Sequence, residues 1–137
     1  MKIIAVVVTY NRIEKLKNTL FAYDAIKEGL DTLVIVNNKS TDGTYEYLSE
    51  WKVCKSSFNK EVLNLDENLG GSGGFFKGCQ YALSLGTDWI LVADDDAYPN
   101  SDIIEKFESF SNEQNMDSVS AVCSSVMHMD GTIDVGH

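Results

Sequence analysis

Short runs of β-branched and aliphatic residues recur along the chain, and the gaps between them are each long enough for one helix. The runs are "IIAVVV" (3–8), "TLVIV" (32–36), "VLNL" (62–65), "WILVA" (89–93) and "VSAVC" (119–123). Runs of this length and composition read as strands. Near-continuous apolarity in the first, second and fourth predicts burial on both faces, as in a parallel sheet. In the gaps, Ile13, Leu16, Leu20 and Tyr23 fall on one helical stripe, as do Phe75, Cys79, Ala82 and Leu83. Ile103, Phe107 and Phe110 form a third stripe, with Asn100 and Ser101 as candidate N-caps; Tyr45, Leu48 and Trp51 form a weaker one. This β-α alternation predicts an α/β fold, a three-layer α/β/α sandwich around a mostly parallel central sheet with right-handed crossovers. Near the end, Asp130-Gly131 is a hairpin signal.

The chain's 137 residues suit a single domain, 1–137, able to bury about two-thirds of the surface its unfolded form exposes. Eleven basic against twenty-one acidic side chains leave a net charge of −10. Such a surface is poorly matched to nucleic acid, whose affinity comes from Lys and Arg neutralising phosphates, and it gives no help on an anionic membrane. The six-residue apolar run near the start is too short to be a signal sequence, and no segment reaches transmembrane length. Cys54, Cys79 and Cys123 show no CxxC spacing, so buried, reduced thiols of a cytoplasmic protein are expected.

In an open α/β sheet, ligands bind beyond the carboxyl ends of the strands. Four segments follow the first four strands: "TYNR" (9–12), "NNKSTDGT" (37–44), "DENLGGSGG" (66–74) and "DDDAYPN" (94–100). All are polar or glycine-rich, and the topology would gather them on one edge. Asp94, Asp95 and Asp96 repel one another, and the only basic residue within ten positions is Lys106. Either the triplet is a solvated turn, or a cation from outside the sequence sits there. Alternation along an extended segment would let Asp94 and Asp96 converge on Mg²⁺ or Mn²⁺ while Asp95 faces elsewhere. That ion would reverse the repulsion between the carboxylates and a diphosphate.

In "NLGGSGG", Asn68 leads four glycines, among them Gly70, Gly73 and Gly74, which are expected to form a loop preceding a helix. Such a loop either simply turns or lets the backbone approach an anion at the helix N-terminus. It matches neither GxGxxG nor a P-loop. Lys77, one turn into the helix, either meets a phosphate or is solvated. Tyr10 offers a stacking face, and Asn11 either a hydrogen-bonding amide or a helix N-cap. Asn37 and Asn38 have the paired donors and acceptors that read a pyrimidine edge. Asp42 is either a ligand or part of a turn and cap. His128 and His137 are each either a metal ligand or, more commonly, a surface or capping residue. A basic glycine-rich loop, as in nucleotidyltransferases, is missing after the first strand, and so is a phosphatase's nucleophilic aspartate.

The ordered series "VVVTYNR", "VIVNNKSTDGT", "NLGGSGGFFKG" and "DWILVADDDAYP" resembles the N-terminal nucleotide-binding half of family 2 glycosyltransferases with the GT-A (Rossmann-like) fold. The "GGSGGF" and the triple aspartate are most similar to the galactofuranosyltransferase and rhamnosyltransferase branches. The resemblance implies metal-dependent, inverting transfer from a UDP- or dTDP-sugar to a glycan or lipid-linked acceptor in cell-surface polysaccharide synthesis. The work would be done in the cytoplasm or at the inner face of the membrane. Thr9, Tyr10, Asn11 and Arg12 would line the base and ribose site, and Asn37 stands where the family often has a uracil-reading aspartate. Asp94 and Asp96 would hold Mn²⁺ or Mg²⁺, with Asp95 near the donor sugar and the metal supplying most of the positive charge. The family's catalytic base lies far downstream of the DxD, so it is expected beyond this chain, which would be the N-terminal part of a longer enzyme. The competing class is a nucleotide-sugar- and metal-binding module without chemistry.

Overall fold

The computed structural model describes residues 1–135; His137 lies outside them. Two compact units divide the chain, Met1–Phe107 and a shorter one from Glu108 onward. In the first, β1 (Ile3–Thr9), α1 (Ile13–Asp24), β2 (Leu30–Asn37), α2 (Thr44–Val53), β3 (Asn59–Asn64), α3 (Gly70–Ser84) and β4 (Trp89–Asp94) alternate, followed by α4 (Ile103–Glu113). The strands form one sheet in the order β3-β2-β1-β4, all parallel, with Val6 beside both Val34 and Val92.

Strand alternation divides the core. Ile3, Ala5 and Val7 of β1 pack with Leu16, Leu20 and Tyr23 of α1, Leu48 and Trp51 of α2, and Ile104 of α4. Ile4 and Val6 face the opposite way, against Ala82, Phe75 and Tyr81 of α3. Helices therefore cover both faces, as a three-layer sandwich requires. Each fully buried Leu or Ile contributes about 1.5–3 kcal/mol relative to an exposed one, so the stripe on α1 is what commits it to this face.

Burial follows position in the sheet. The central strands β1 and β2 are buried almost throughout, whereas β4 is only half-buried and Val92 is 54% exposed. The expectation of two-sided burial fails for β4 because it is an edge of the described sheet. Leu83 and Phe110 are also exposed, although they continue their helical stripes. α4 starts after Asp102, later than Asn100 and Ser101 predict.

The glycines require a larger correction. Gly70 through Gly74 are not a loop ahead of a helix; they are the first turns of α3. A Cβ on Gly74 would stand 2.6 Å from Val8 Cγ1, and one on Gly78 would stand 2.4 Å from Val6 Cγ1 and 2.9 Å from Val36 Cγ2. Helix α3 crosses the sheet so closely that only hydrogen fits there, and this need for space outweighs the low helix propensity of glycine.

The second unit contains a short 3-10 turn, Met116–Ser118, and no strand at 119–123, where one was expected. β propensity describes a side chain's fit to a paired, half-buried surface, and residues 119–123 have no pairing partner among the described residues. The hairpin signal is borne out. Met127 bridges Ile133 in antiparallel fashion, the His128 N–H donates to the Thr132 carbonyl at 2.8 Å, and Gly131 takes a φ of 84°. Cys54 and Cys123 are exposed and Cys79 is half-buried, so none of the thiols is a core residue. No described helix is long and apolar enough to cross a membrane.

Candidate functional site

From β1 the chain winds through β2 to β3 on one side and returns from β3, by way of α3, to β4 on the other side of β1, so the sheet's topological switch point lies between β1 and β4. A cleft of about 310 Å³ opens at the carboxyl ends of those two strands. Its walls come from Val8, Thr9, Tyr10 and Arg12 at and after the end of β1, Asn38 after β2, Asn68 before α3, Gly70, Gly71 and Phe75 in its first turns, and Asp94 and Asp95 at the end of β4. All four loops singled out in the sequence contribute. Among the candidates, Asn11, Asn37, Asp42, Gly73, Gly74, Lys77 and Asp96 do not line the cleft. Lys77 is exposed on α3. Val8, Gly71 and Phe75 are additions that sequence reading assigned to core or loop; no sequence signal separated them.

The acidic triplet divides into three environments. Asp95 is 2% exposed; its carboxylate accepts the Thr9 hydroxyl at 2.8 Å and pairs with Arg12 at 2.9 Å, and its carbonyl accepts the Thr19 hydroxyl at 2.6 Å. Asp96 accepts Arg12 Nη2 at 2.6 Å and Lys15 Nζ at 3.1 Å on one oxygen. Asp94 is exposed, lines the cleft, and makes no side-chain hydrogen bond or ion pair among the described residues. Burial pushes the Asp95 carboxyl above the usual range, against the pull of Thr9 and Arg12. The Lys15 hydrogen bond, joined by Arg12, outweighs partial burial and holds Asp96 below it. Two side chains of α1 and its entry, over eighty positions away in sequence, thus face two of the three carboxylates.

The asparagines are engaged as well. Asn37 donates to Asn64 Oδ1 at 2.9 Å and accepts the Ser40 N–H at 3.0 Å. Asn38 is 2% exposed and fastens α3 to the end of β2, accepting the Leu69 N–H and donating to the Gly70 carbonyl, both at 2.9 Å. Asn68 accepts the Gly70 N–H at 2.8 Å. Gly70 and Gly71, at the N-terminus of α3, line the cleft, the end of a helix that favours anions.

Asn11, at φ 50°, does not cap α1; its side chain accepts the Thr41 N–H at 2.7 Å. Capping of α1 falls to Asp42, whose carboxylate accepts the Ile13 N–H at 3.0 Å and also the N–H and hydroxyl of Thr44 at 3.2 and 2.6 Å. One carboxylate therefore ties together the N-termini of α1 and α2 and fixes the loop carrying Tyr10 and Arg12. Partial burial opposes its ionisation, but the Thr44 and Ile13 hydrogen bonds prevail and lower its pKa. The sign follows. The stabilisation is complete above the ordinary value of 3.8 and is lost as pH falls through the lower folded value. Asp42→Asn should cost about 0.3–1 kcal/mol near neutrality and less as pH falls below about 4, measured by denaturant midpoints across pH. A pH-independent difference would contradict the charge argument.

A family model described as Glycosyl transferase family 2 matches residues 4–133. Galactofuranosyltransferase GlfT1 of Mycolicibacterium smegmatis is 39% identical over 95 residues, which is 69% of this chain and 30% of that protein. GlfT1 of Mycobacterium tuberculosis is 35% identical over 96 residues, 70% and 31% respectively. The chain thus spans 30–31% of the length of these curated relatives. Among solved structures, S. aureus TarS 1-349 in complex with UDP-GlcNAc aligns with a TM-score of 0.67 and 26% identity, covering 82% of this chain and 32% of that one. The same protein in complex with UDP aligns over 96% of this chain and 43% of its own, at a TM-score of 0.70 and 19% identity, a likeness of fold. The GT-A architecture expected from the motifs is thereby borne out. With the family model matched from the first strand to the terminal hairpin, the chain belongs to glycosyl transferase family 2.

Proposed function

We propose that this chain forms the donor side of a glycosyltransferase that moves a sugar from a nucleoside diphosphate to a glycan or lipid-linked acceptor. One observation carries the reading. The cleft at the β1–β4 switch point brings an unpaired carboxylate, Asp94, together with the N-terminus of α3 and the exposed ring of Tyr10. A nucleoside diphosphate offers a partner to each: an aromatic face for Tyr10, phosphate oxygens for the first amides of α3 and for Arg12, and a site for a shared cation at Asp94. The relatives named galactofuranosyltransferase and the TarS complex with UDP-GlcNAc support a UDP-sugar, with UDP-galactofuranose the first candidate and dTDP-rhamnose the second.

The residues present fit a hard divalent ion of the kind that keeps few protein ligands. No three His, Cys, Asp or Glu side chains gather around one point among the described residues. Asp94 and the second oxygen of Asp96 would hold Mn²⁺ or Mg²⁺ whose remaining positions go to phosphate and water. Such an ion stabilises charge on the departing nucleoside diphosphate. Around it, Asp95 holds Arg12 beside the cleft, and Asn38 holds the start of α3 in place. Inversion at the anomeric carbon requires a base within hydrogen-bond reach of the acceptor hydroxyl, and we assign that base to a part of the enzyme outside this chain. Work at the cytoplasmic face of a membrane belongs to the same proposal.

The test is calorimetry of UDP binding with Mn²⁺ and with chelator. Binding is expected with the metal and at least tenfold weaker without it. Equal affinity in both would remove the metal from the reading. Transfer of galactofuranose to an acceptor by this chain alone would contradict placing the base outside it.

A further inference from the structure

Asp96 presents an asymmetry that the donor site does not explain. One of its oxygens accepts two cations, Arg12 Nη2 at 2.6 Å and Lys15 Nζ at 3.1 Å. The two are not equivalent. Arg12 lines the cleft and is anchored a second time, at 2.9 Å, on the buried carboxylate of Asp95. A planar guanidinium held at two points stays in place if one carboxylate is taken away. Lys15 does not line the cleft, its side chain is 51% exposed, and Asp96 is its one ion-pair partner among the described residues. Its ammonium sits on a flexible stem with bulk water beside it, so it can leave Asp96 at little cost.

Lys15 is three residues from Arg12, and so lies on the same side of the α1 entry. Two further carboxylates, Asp94 and Asp95, directly precede Asp96 in the chain. Without Lys15, the Arg12 guanidinium alone would balance both Asp95 and Asp96. With Lys15, the charge on Asp96 is already balanced before any ion arrives, and an arriving ion must work against that ammonium.

We propose that Lys15 is a positioning residue, a displaceable counter-cation that holds Asp96 while the donor site is empty and sets the divalent-ion concentration at which the site is completed. The proposal rests on the reading that Asp94 and Asp96 share a divalent ion with the donor diphosphate. It predicts an unusual sign: removing a positive charge from an acidic donor site should leave nucleotide recognition in place and tighten cation binding. A lysine that served the diphosphate directly would produce the opposite sign.

Mn²⁺ is titrated calorimetrically into the chain at saturating UDP for wild type, Lys15→Gln, Lys15→Arg and Asp94→Asn. Lys15→Gln is expected to bind Mn²⁺ about three- to tenfold more tightly, since an exposed ion pair and its competing charge are lost. Lys15→Arg, which restores the charge, should return to within about twofold of wild type. Unchanged or weaker Mn²⁺ binding by Lys15→Gln overturns the proposal, and so does failure of Lys15→Arg to restore wild-type affinity. Asp94→Asn reports on the underlying reading. If it loses Mn²⁺ affinity while Lys15→Gln gains none, only the role of Lys15 falls. If it binds as wild type does, the site assignment falls and the proposal with it.

Discussion

Asp94→Asn is expected to lower manganese-dependent UDP affinity by about 100-fold, the range seen when one partner of a desolvated charge pair is removed. The three adjacent aspartates are used very differently. Asp95 is buried and holds Thr9 and Arg12, so its replacement would disturb the junction of β1 and β4 and confuse folding with binding. Asp96 is balanced by Arg12 and Lys15. Asp94 is exposed at the cleft and its side chain supports no neighbour by hydrogen bond or ion pair among the described residues, so its amide variant should fold with a stability change within about 0.5 kcal/mol. Calorimetry with UDP and Mn²⁺, beside a denaturant melt of the same preparation, measures both quantities. An unchanged dissociation constant would show that the cation is held elsewhere and would refute the donor-site reading; a large loss of stability would mean that Asp94 has a structural partner.

The fold was legible because strand and helix periods are local. β1, β2 and β4 were visible as apolar runs, and β3 was found with its start displaced, because Lys60 hides there as a buried residue over the Trp51 ring at 4.6 Å. The false strand at 119–123 has the same origin: β-branched residues advertise a strand, but pairing makes one. The candidate site was legible as a set of loops and illegible as a set of roles. That Arg12 and Lys15 meet Asp96, or that Asp42 caps a helix starting twenty-nine residues earlier, depends on which strand ends are neighbours. Asparagine side chains illustrate the limit well. Asn37 and Asn38 have the chemistry to read a base, yet in the fold each has both ends of its amide occupied by protein partners.

Gly78→Ala should destabilise the chain by about 2–3 kcal/mol, the upper part of the range for overpacking a core, even though alanine is the better helix former. Propensity alone predicts a gain of about 1 kcal/mol in the middle of α3. Opposing it, the added methyl would lie 2.4 Å from Val6 Cγ1 and 2.9 Å from Val36 Cγ2. Both valines are fully buried in the two central strands, and β-branched side chains there have no alternative rotamer to retreat into. Helix α3 must therefore lift off the sheet, and its N-terminus, one wall of the cleft, moves with it. Gly71→Ala provides the contrast: nothing lies within 4 Å of the new methyl, so a change between zero and a gain of about 1 kcal/mol is expected. Denaturant midpoints of the two variants decide the matter. Equal stabilities would mean that α3 does not press on β1 and β2 at Gly78. A loss at Gly78 accompanied by weaker UDP binding under conditions where the variant is still folded would tie this helix-to-sheet approach to the shape of the cleft itself.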